Sequence, residues 1–184
     1  MIDMRMRPDP KTGYPDRTYR FHKGPKVYEF GYGLSYTTYS YEFSSVTPNT
    51  VQLNQLSNAK TIEDSDSIHY TSVDEMGSDN CEKAKFSAHI SVKNSGEMDG
   101  KHPVLLFVKQ DKAQNGSPVK QLVGFQTVSE KAGENSRLVF EISPCEHLSS
   151  ANEEGLMMIE ERSRYLVVGD FVVLFGGYNY MFLF

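Results

Sequence analysis

Tryptophan is absent from these 184 residues, and only two cysteines occur, Cys81 and Cys145. Without tryptophan the chain lacks the broadest aromatic platform for stacking a sugar ring or anchoring an interface. Two cysteines with no Cys-x-x-Cys pair give no support to a zinc site or a thioredoxin-type motif. Positive charge is short as well: 19 Lys and Arg stand against 24 Asp and Glu, for a net charge of -5. The basic residues are scattered singly, so no positive field exists to attract a phosphate backbone, and nucleic acid is excluded as a partner. Long apolar runs are scarce. The first 20 residues hold four arginines and no apolar stretch, whereas a secretory leader needs roughly 7 to 15 apolar residues in a row. As written, the chain carries no export signal. Tyr165 to Phe184 comes nearest to a membrane span, with Asp170 its only charge. Its length matches the ~20 residues a span requires, but Asp170, three glycines and Asn179 make it a poor insertion sequence. It is expected to be a buried strand followed by an apolar tail, not a membrane segment.

What is present describes a folded β domain. Hydrophobic residues make up 39% and charged residues 23%, the composition of a soluble globular protein with one domain and an arm or long loop. Met1 to Gly33 is rich in Pro, Gly, Arg and Tyr and shows neither helical nor strand periodicity, which marks an arm. Tyr39, Tyr41 and Phe43 then alternate with Ser40 and Glu42, so a strand with one wet face is expected over Tyr36 to Phe43. Asn54 to Asn80 turns polar and reads as a surface insertion. Further strands are expected at Phe86 to Val92, Val104 to Val108, Val119 to Val128, Leu138 to Ile142, Leu156 to Ile159 and Tyr165 to Val168. Helix is expected at most in a turn near His147 to Glu154. About seven short strands with turns between them predict an all-β, immunoglobulin-like β-sandwich with an irregular N-terminal arm.

Two neighbouring motifs carry a family likeness: DRTYRF, Asp16 to Phe21, and YEFGYGLSYT, Tyr28 to Thr37. They are followed in order by VKNSGEMDGKHPVLLFVK (Val92 to Lys109), GFQTV with KAGE, and RYLVVGD (Arg164 to Asp170). This ordered set resembles the C-terminal fibronectin type III-like domain of plant family 3 glycoside hydrolases, in the β-D-xylosidase and α-L-arabinofuranosidase branch. The resemblance implies that residues 1–34 are a connector like the end of a preceding α/β domain. Residues 35–184 would form the sandwich, with a polar insertion at 54–80 and a divergent apolar tail at 171–184. Three positions depart from the pattern: Asp16 where Gly is usual, Glu130 where an apolar residue is usual, and Arg162 where Gly is more common. After Asp170 the apolar FVVLFGGYNYMFLF replaces the more polar final strand that the family pattern leads one to expect.

Retaining glycosidases need two carboxyl groups about 5 to 5.5 Å apart, and the resemblance places both upstream of residue 1. No catalytic, cofactor-binding or metal-binding residue is therefore assigned. Asp170 reads as a turn aspartate at a strand end. His22, His69, His89, His102 and His147 lack metal-ligand spacing, so no metal is expected, and no Gly-x-Ser-x-Gly elbow occurs. Tyr14, Tyr19, Tyr28, Tyr32 and Tyr36, with Arg17 and Arg20, fit either a domain interface or sugar stacking. Asn115-Gly116-Ser117 is the single glycosylation sequon, followed by Pro118. Cys81 and Cys145 fit either a disulfide or two free buried thiols. The function expected is a non-catalytic accessory domain whose partners are the catalytic domains of a parent hydrolase, with cell-wall polysaccharide a further partner. The resemblance implies an extracellular, cell-wall location. An autonomous carbohydrate-binding sandwich and a nonfunctional truncation product are the alternatives.

Overall fold

The structure is a computed structural model, which describes residues 4–14, 16–47, 50–51, 62–63, 69–110, 117–160, 163–175 and 180–181. Among the described residues thirteen strands follow in chain order. They are β1 Tyr39–Thr47, β2 Thr50–Val51, β3 Ile62–Glu63, β4 His69–Ser72, β5 Phe86–Asn94, β6 Gly100–Gln110 and β7 Lys120–Glu130. After them come β8 Asn135–Ile142, β9 Ser149–Ala151, β10 Met157–Glu160, β11 Arg164–Val168, β12 Phe171–Phe175 and β13 Tyr180–Met181. Two antiparallel sheets, ordered β1-β5-β8 and β12-β11-β6-β7, form a seven-stranded sandwich. A smaller sheet, β3-β4-β10-β9, and the pair β13-β2 lie beside it in the order of pairing.

Alternation places the core. Phe86, Ala88, Ile90 and Val92 of β5 face Val104, Leu106 and Val108 of β6, and Phe140, Ile142, Val128, Leu166 and Val168 complete the buried cluster. Period-2 side chains from two facing sheets are what a sandwich core requires. In β1 a register shift falls between Phe43 and Ser45 opposite β5. That extra residue changes the parity of the strand, so Val46 reaches the core although Tyr39, Tyr41 and Phe43 set the opposite count.

Six of the seven expected strands lie in the sandwich. The seventh, expected at Leu156 to Ile159, is β10 and belongs to the small side sheet instead, paired with β4 and β9. The missing sandwich strand is β12, which continues from β11 after the turn at Gly169 and Asp170. The start of the supposed divergent tail is thus a structural edge strand, and residues 176–179 and 182–184 lie outside the described residues. None of the described helices is long and apolar enough to cross a membrane.

The polar stretch 54–80 also needs correction where it is described. Its end contains β4 and a helix, Val73–Lys83, kinked at Gly77. Ser72 caps the helix by accepting from the Glu75 amide, and Asp74 and Glu75 occupy the first turn, where carboxylates favour the helix dipole. Met76 and Ala84 are buried. The remaining helix expectation, at His147 to Glu154, is displaced to a single turn at Pro144–His147. Cys81 on the helix and Cys145 on that turn form a disulfide, with Cα atoms 5.8 Å apart. The bridge holds the helix against the core, which answers the choice the sequence left open.

Candidate functional site: an aromatic arm latched to the outer sheet

The arm folds by local polar contacts before it meets the sandwich. Arg5 pairs with Asp9 at 2.6 Å, and the Tyr14 hydroxyl donates to the Arg5 carbonyl at 2.7 Å. Two guanidinium groups stand over the Tyr14 ring, that of Arg5 at 4.6 Å and that of Arg17 at 5.0 Å. Asp16 accepts from the Lys23 amide and is 2.8 Å from His22 Nδ1. Glycine could not make either contact, which gives this departure from the family pattern a local purpose. A helical turn, Thr18–Phe21, follows, with Thr18 at a left-handed φ of 64°. A β-branched residue there is strained and persists only where surrounding contacts fix it.

Those contacts are the latch. Tyr19 stacks on Phe30 at 4.3 Å, and both rings stand edge-on to Phe107 of β6. Phe107 points out of the sandwich yet is only 4% exposed, because the arm covers it. The Val119 amide donates to the Arg20 carbonyl at 2.8 Å, the Leu122 amide to the Tyr19 hydroxyl, and Arg20 to Gln121 Oε1. Gly31, at φ 92°, lies against Leu105: a Cβ there would come within 2.8 Å of its Cδ1. Replacing Phe107 with alanine is expected to release the arm while leaving the core folded, at a cost of about 3 kcal/mol. Limited trypsin digestion checks this: cleavage after Arg17, Arg20, Lys23 and Lys26 should accelerate, with fragments starting near β1 persisting.

The arm's other face is bare. Tyr28 is 71% exposed, Tyr32 68% and Tyr36 100%, and Val27, Phe30 and Leu34 add apolar surface. Across the Gly31–Leu105 contact this ridge runs on to Phe125, which pairs with Leu105 and is 68% exposed. The five tyrosines grouped by sequence therefore separate: Tyr14 and Tyr19 hold the arm together, and Tyr28, Tyr32 and Tyr36 face outward. Tyr28 and Tyr32 stack on each other at 4.9 Å, so each has one ring face taken. Monomeric domains seldom leave this many large apolar side chains exposed in one segment. Phe125 was missed by sequence reasoning, since an apolar strand residue gives no sign of which sheet face it takes.

At one end of the sandwich the glycine-rich motif has a structural meaning. Asn94 is fully buried; its Oδ1 accepts from the Thr37 hydroxyl and the Gly96 amide, and its Nδ2 donates to the carbonyls of Met98 and Glu130. At Gly96 a Cβ would fall 2.1 Å from Thr37 Oγ1, so the turn closes only around glycine. Beside it Tyr39 stacks on His102 at 4.3 Å and donates to the Gly100 carbonyl. Tyr41 hydrogen-bonds His102 Nε2, and burial, with Tyr39 and Asp170, pushes its hydroxyl up to about 12. Glu130 is buried here too, its stem taking the space where the pattern favours an apolar side chain. Among the described residues no group of three or more His, Cys, Asp or Glu side chains could hold a metal ion. The sequon residues Asn115 and Gly116, and Arg162, lie outside the described residues.

Burial pushes His102 below the ordinary histidine value of 6.5 against the opposing charge of Glu130. Burial does the same to His147, which accepts from the Ser143 amide, against Glu146. Below about pH 6.5 the unfolded chain therefore takes up protons that the folded chain refuses, and stability falls as pH falls. The urea midpoint is expected to be lower at about pH 5 than at about pH 7.5. Equal midpoints would contradict the burial of these rings.

The seven strands in two antiparallel sheets, and the buried Asn-x-Gly turn, define the class: a fibronectin type III-like sandwich carrying an N-terminal arm. Residues 102–172 match the family model Fn3-like, the fibronectin type III-like domain, and the chain contains a domain of that family. It is similar to the probable β-D-xylosidase 7 of Arabidopsis thaliana, 52% identical over 92% of this chain and 22% of that protein. It is also 38% identical to the β-xylosidase/α-L-arabinofuranosidase 1 of Medicago sativa subsp. varia, over 92% of this chain and 21% of that one. The fold recurs in the crystal structure of a β-glucosidase from Listeria innocua, with a TM-score of 0.58 and 21% identity over 94% of this chain and 20% of that chain. The chain is thus a relative of the plant β-xylosidases and arabinofuranosidases, as its motifs led us to expect. It spans about a fifth of the length of the curated relatives it matches.

Proposed function

We propose that the chain acts as a non-catalytic accessory domain of a β-xylosidase-type glycoside hydrolase, and that it stabilises the catalytic domains by packing against them through the arm. The observation that supports this reading most is the exposed ridge Tyr28 to Tyr36, fixed on one side by the Phe107 latch and open on the other. A rigid aromatic surface at this density suits a permanent interdomain contact, where Tyr and Arg are favoured. Residues 1–34 serve as the connector and 35–184 as the sandwich domain in this reading. The bond-breaking carboxylates belong to the catalytic domains, and the substrates are terminal β-1,4-xylosyl, and arabinosyl, units of cell-wall polysaccharide. The disulfide suits the oxidising, extracellular setting of such an enzyme.

The test is a graft in which this chain replaces the matching segment of the Arabidopsis relative. The graft is expected to unfold in one calorimetric transition and to hydrolyse an aryl xyloside, and changing Tyr28, Tyr32 and Tyr36 to serine should split the transition in two. Two separate transitions in the unaltered graft would sink the reading. Hydrolysis of the xyloside by the isolated chain would sink the non-catalytic assignment.

A further inference from the structure

Where the arm crosses the outer sheet, Lys109 and Lys120 stand opposite each other on β6 and β7, and Lys26 of the arm adds its charge to theirs. The Lys120 ammonium stands 4.0 Å over the Phe107 ring. Burial holds its pKa below the ordinary lysine value; Glu29 opposes that shift, and the like charges of Lys26 and Lys109 add to it. Glu29 is itself engaged by Lys26 at 3.0 Å. Along β6 the residues sharing the outward face with Phe107 are Lys101, Pro103, Leu105 and Lys109, and those opposite Lys101 and Pro103 on β7 are Ser129 and Thr127. Arg20 adds a guanidinium beside Gln121. Glu29 is the carboxylate that acts on Lys120 here, in a protein whose net charge is -5.

Like charges opposite each other on neighbouring strands, as Lys109 and Lys120 are on β6 and β7, repel unless an anionic surface meets them. The cluster adjoins the aromatic ridge, so whatever covers one covers the other, and the occupant must offer an apolar centre beside its negative charge. A protein surface provides both across the whole ridge, whereas a uronate chain offers its charge and narrow C–H ring faces, and the mutual stacking of Tyr28 and Tyr32 leaves each only one ring face for a sugar. We propose that the cluster of Lys26, Lys109 and Lys120 docks a carboxylate-bearing patch on the catalytic part of a longer polypeptide. This rests on the accessory-domain reading and gives it a charge rule: the apolar ridge supplies the contact and the lysines select its register.

The graft described above tests the rule. With K26E, K109E and K120E together, the single transition is expected to split or fall by about 5 °C or more, and about 0.5 M NaCl should lower it in the unaltered graft. K109E alone, at an exposed position away from the Phe107 ring, should leave the isolated chain's midpoint unmoved while lowering that of the graft, which separates lost docking from lost folding. An unshifted single transition in the triple variant at both salt concentrations would overturn the charge rule while leaving the accessory reading standing. Failure of the unaltered graft to unfold as one unit would overturn both. Retention of the isolated chain on immobilised polygalacturonate, lost on the triple change while the graft's transition stays put, would also overturn the proposal and assign the cluster to an anionic polysaccharide.

Discussion

Replacing Asn94 with alanine is expected to cost about 4 kcal/mol, among the largest effects of any single side-chain change in this domain. The Asn94 side chain makes four hydrogen bonds at zero exposure. Truncation strands the Thr37 hydroxyl, the Gly96 amide and the carbonyls of Met98 and Glu130, each at about 1 kcal/mol or more. Asn94→Asp should be nearly as harmful, because it keeps the two acceptor contacts and loses both donors. Thr37→Val removes one bond and should cost about 1 kcal/mol. Urea unfolding followed by fluorescence of the 11 tyrosines would read all three. A loss under about 1 kcal/mol for Asn94→Ala would mean that the turn is held by its backbone alone.

Removing the disulfide is the second large effect. Changing Cys81 and Cys145 together to serine opens a loop with a sequence separation of 64, worth about 4 kcal/mol in the chain-entropy model. That loop contains β5 to β8, the larger part of the sandwich, so the bridge restricts the unfolded chain where the core strands lie. Against a total of about 5 to 15 kcal/mol for a domain, the change should leave the protein marginal. Dithiothreitol should lower the midpoint of the unaltered chain and leave that of the double variant unmoved. An unaltered chain indifferent to reductant would contradict the bridge.

The sandwich was legible because its strands alternate. Phe86 to Val92 and Leu138 to Ile142 announce one wet and one dry face, and the structure keeps both. β12 was misjudged as a tail because FVVLF has no alternation, and the family pattern placed a more polar strand there. The Val73–Lys83 helix escaped notice for a different reason. Gly77 interrupts its apolar spacing, and its position depends on a bond to Cys145 that no local pattern encodes. β10 looks like a sandwich strand in sequence but pairs sideways with β4, a strand whose neighbours are polar. The arm's aromatics were visible as a group, yet only coordinates separate the rings that fasten the arm from those that face outward. The lysine grouping was beyond sequence reading, since Lys26, Lys109 and Lys120 come from three segments, and only strand pairing sets Lys109 opposite Lys120 and only the fold sets Lys120 on Phe107.

As part of the proposed accessory domain, the ridge from Val27 to Tyr36 is a contact surface and not a free one. Amide hydrogen exchange over these residues, compared between the isolated chain and the graft, tests it most directly. Exchange should be rapid in the isolated chain and markedly slower in the graft, with β5 and β6 slow in both. Equal exchange of the ridge in the two settings would contradict it.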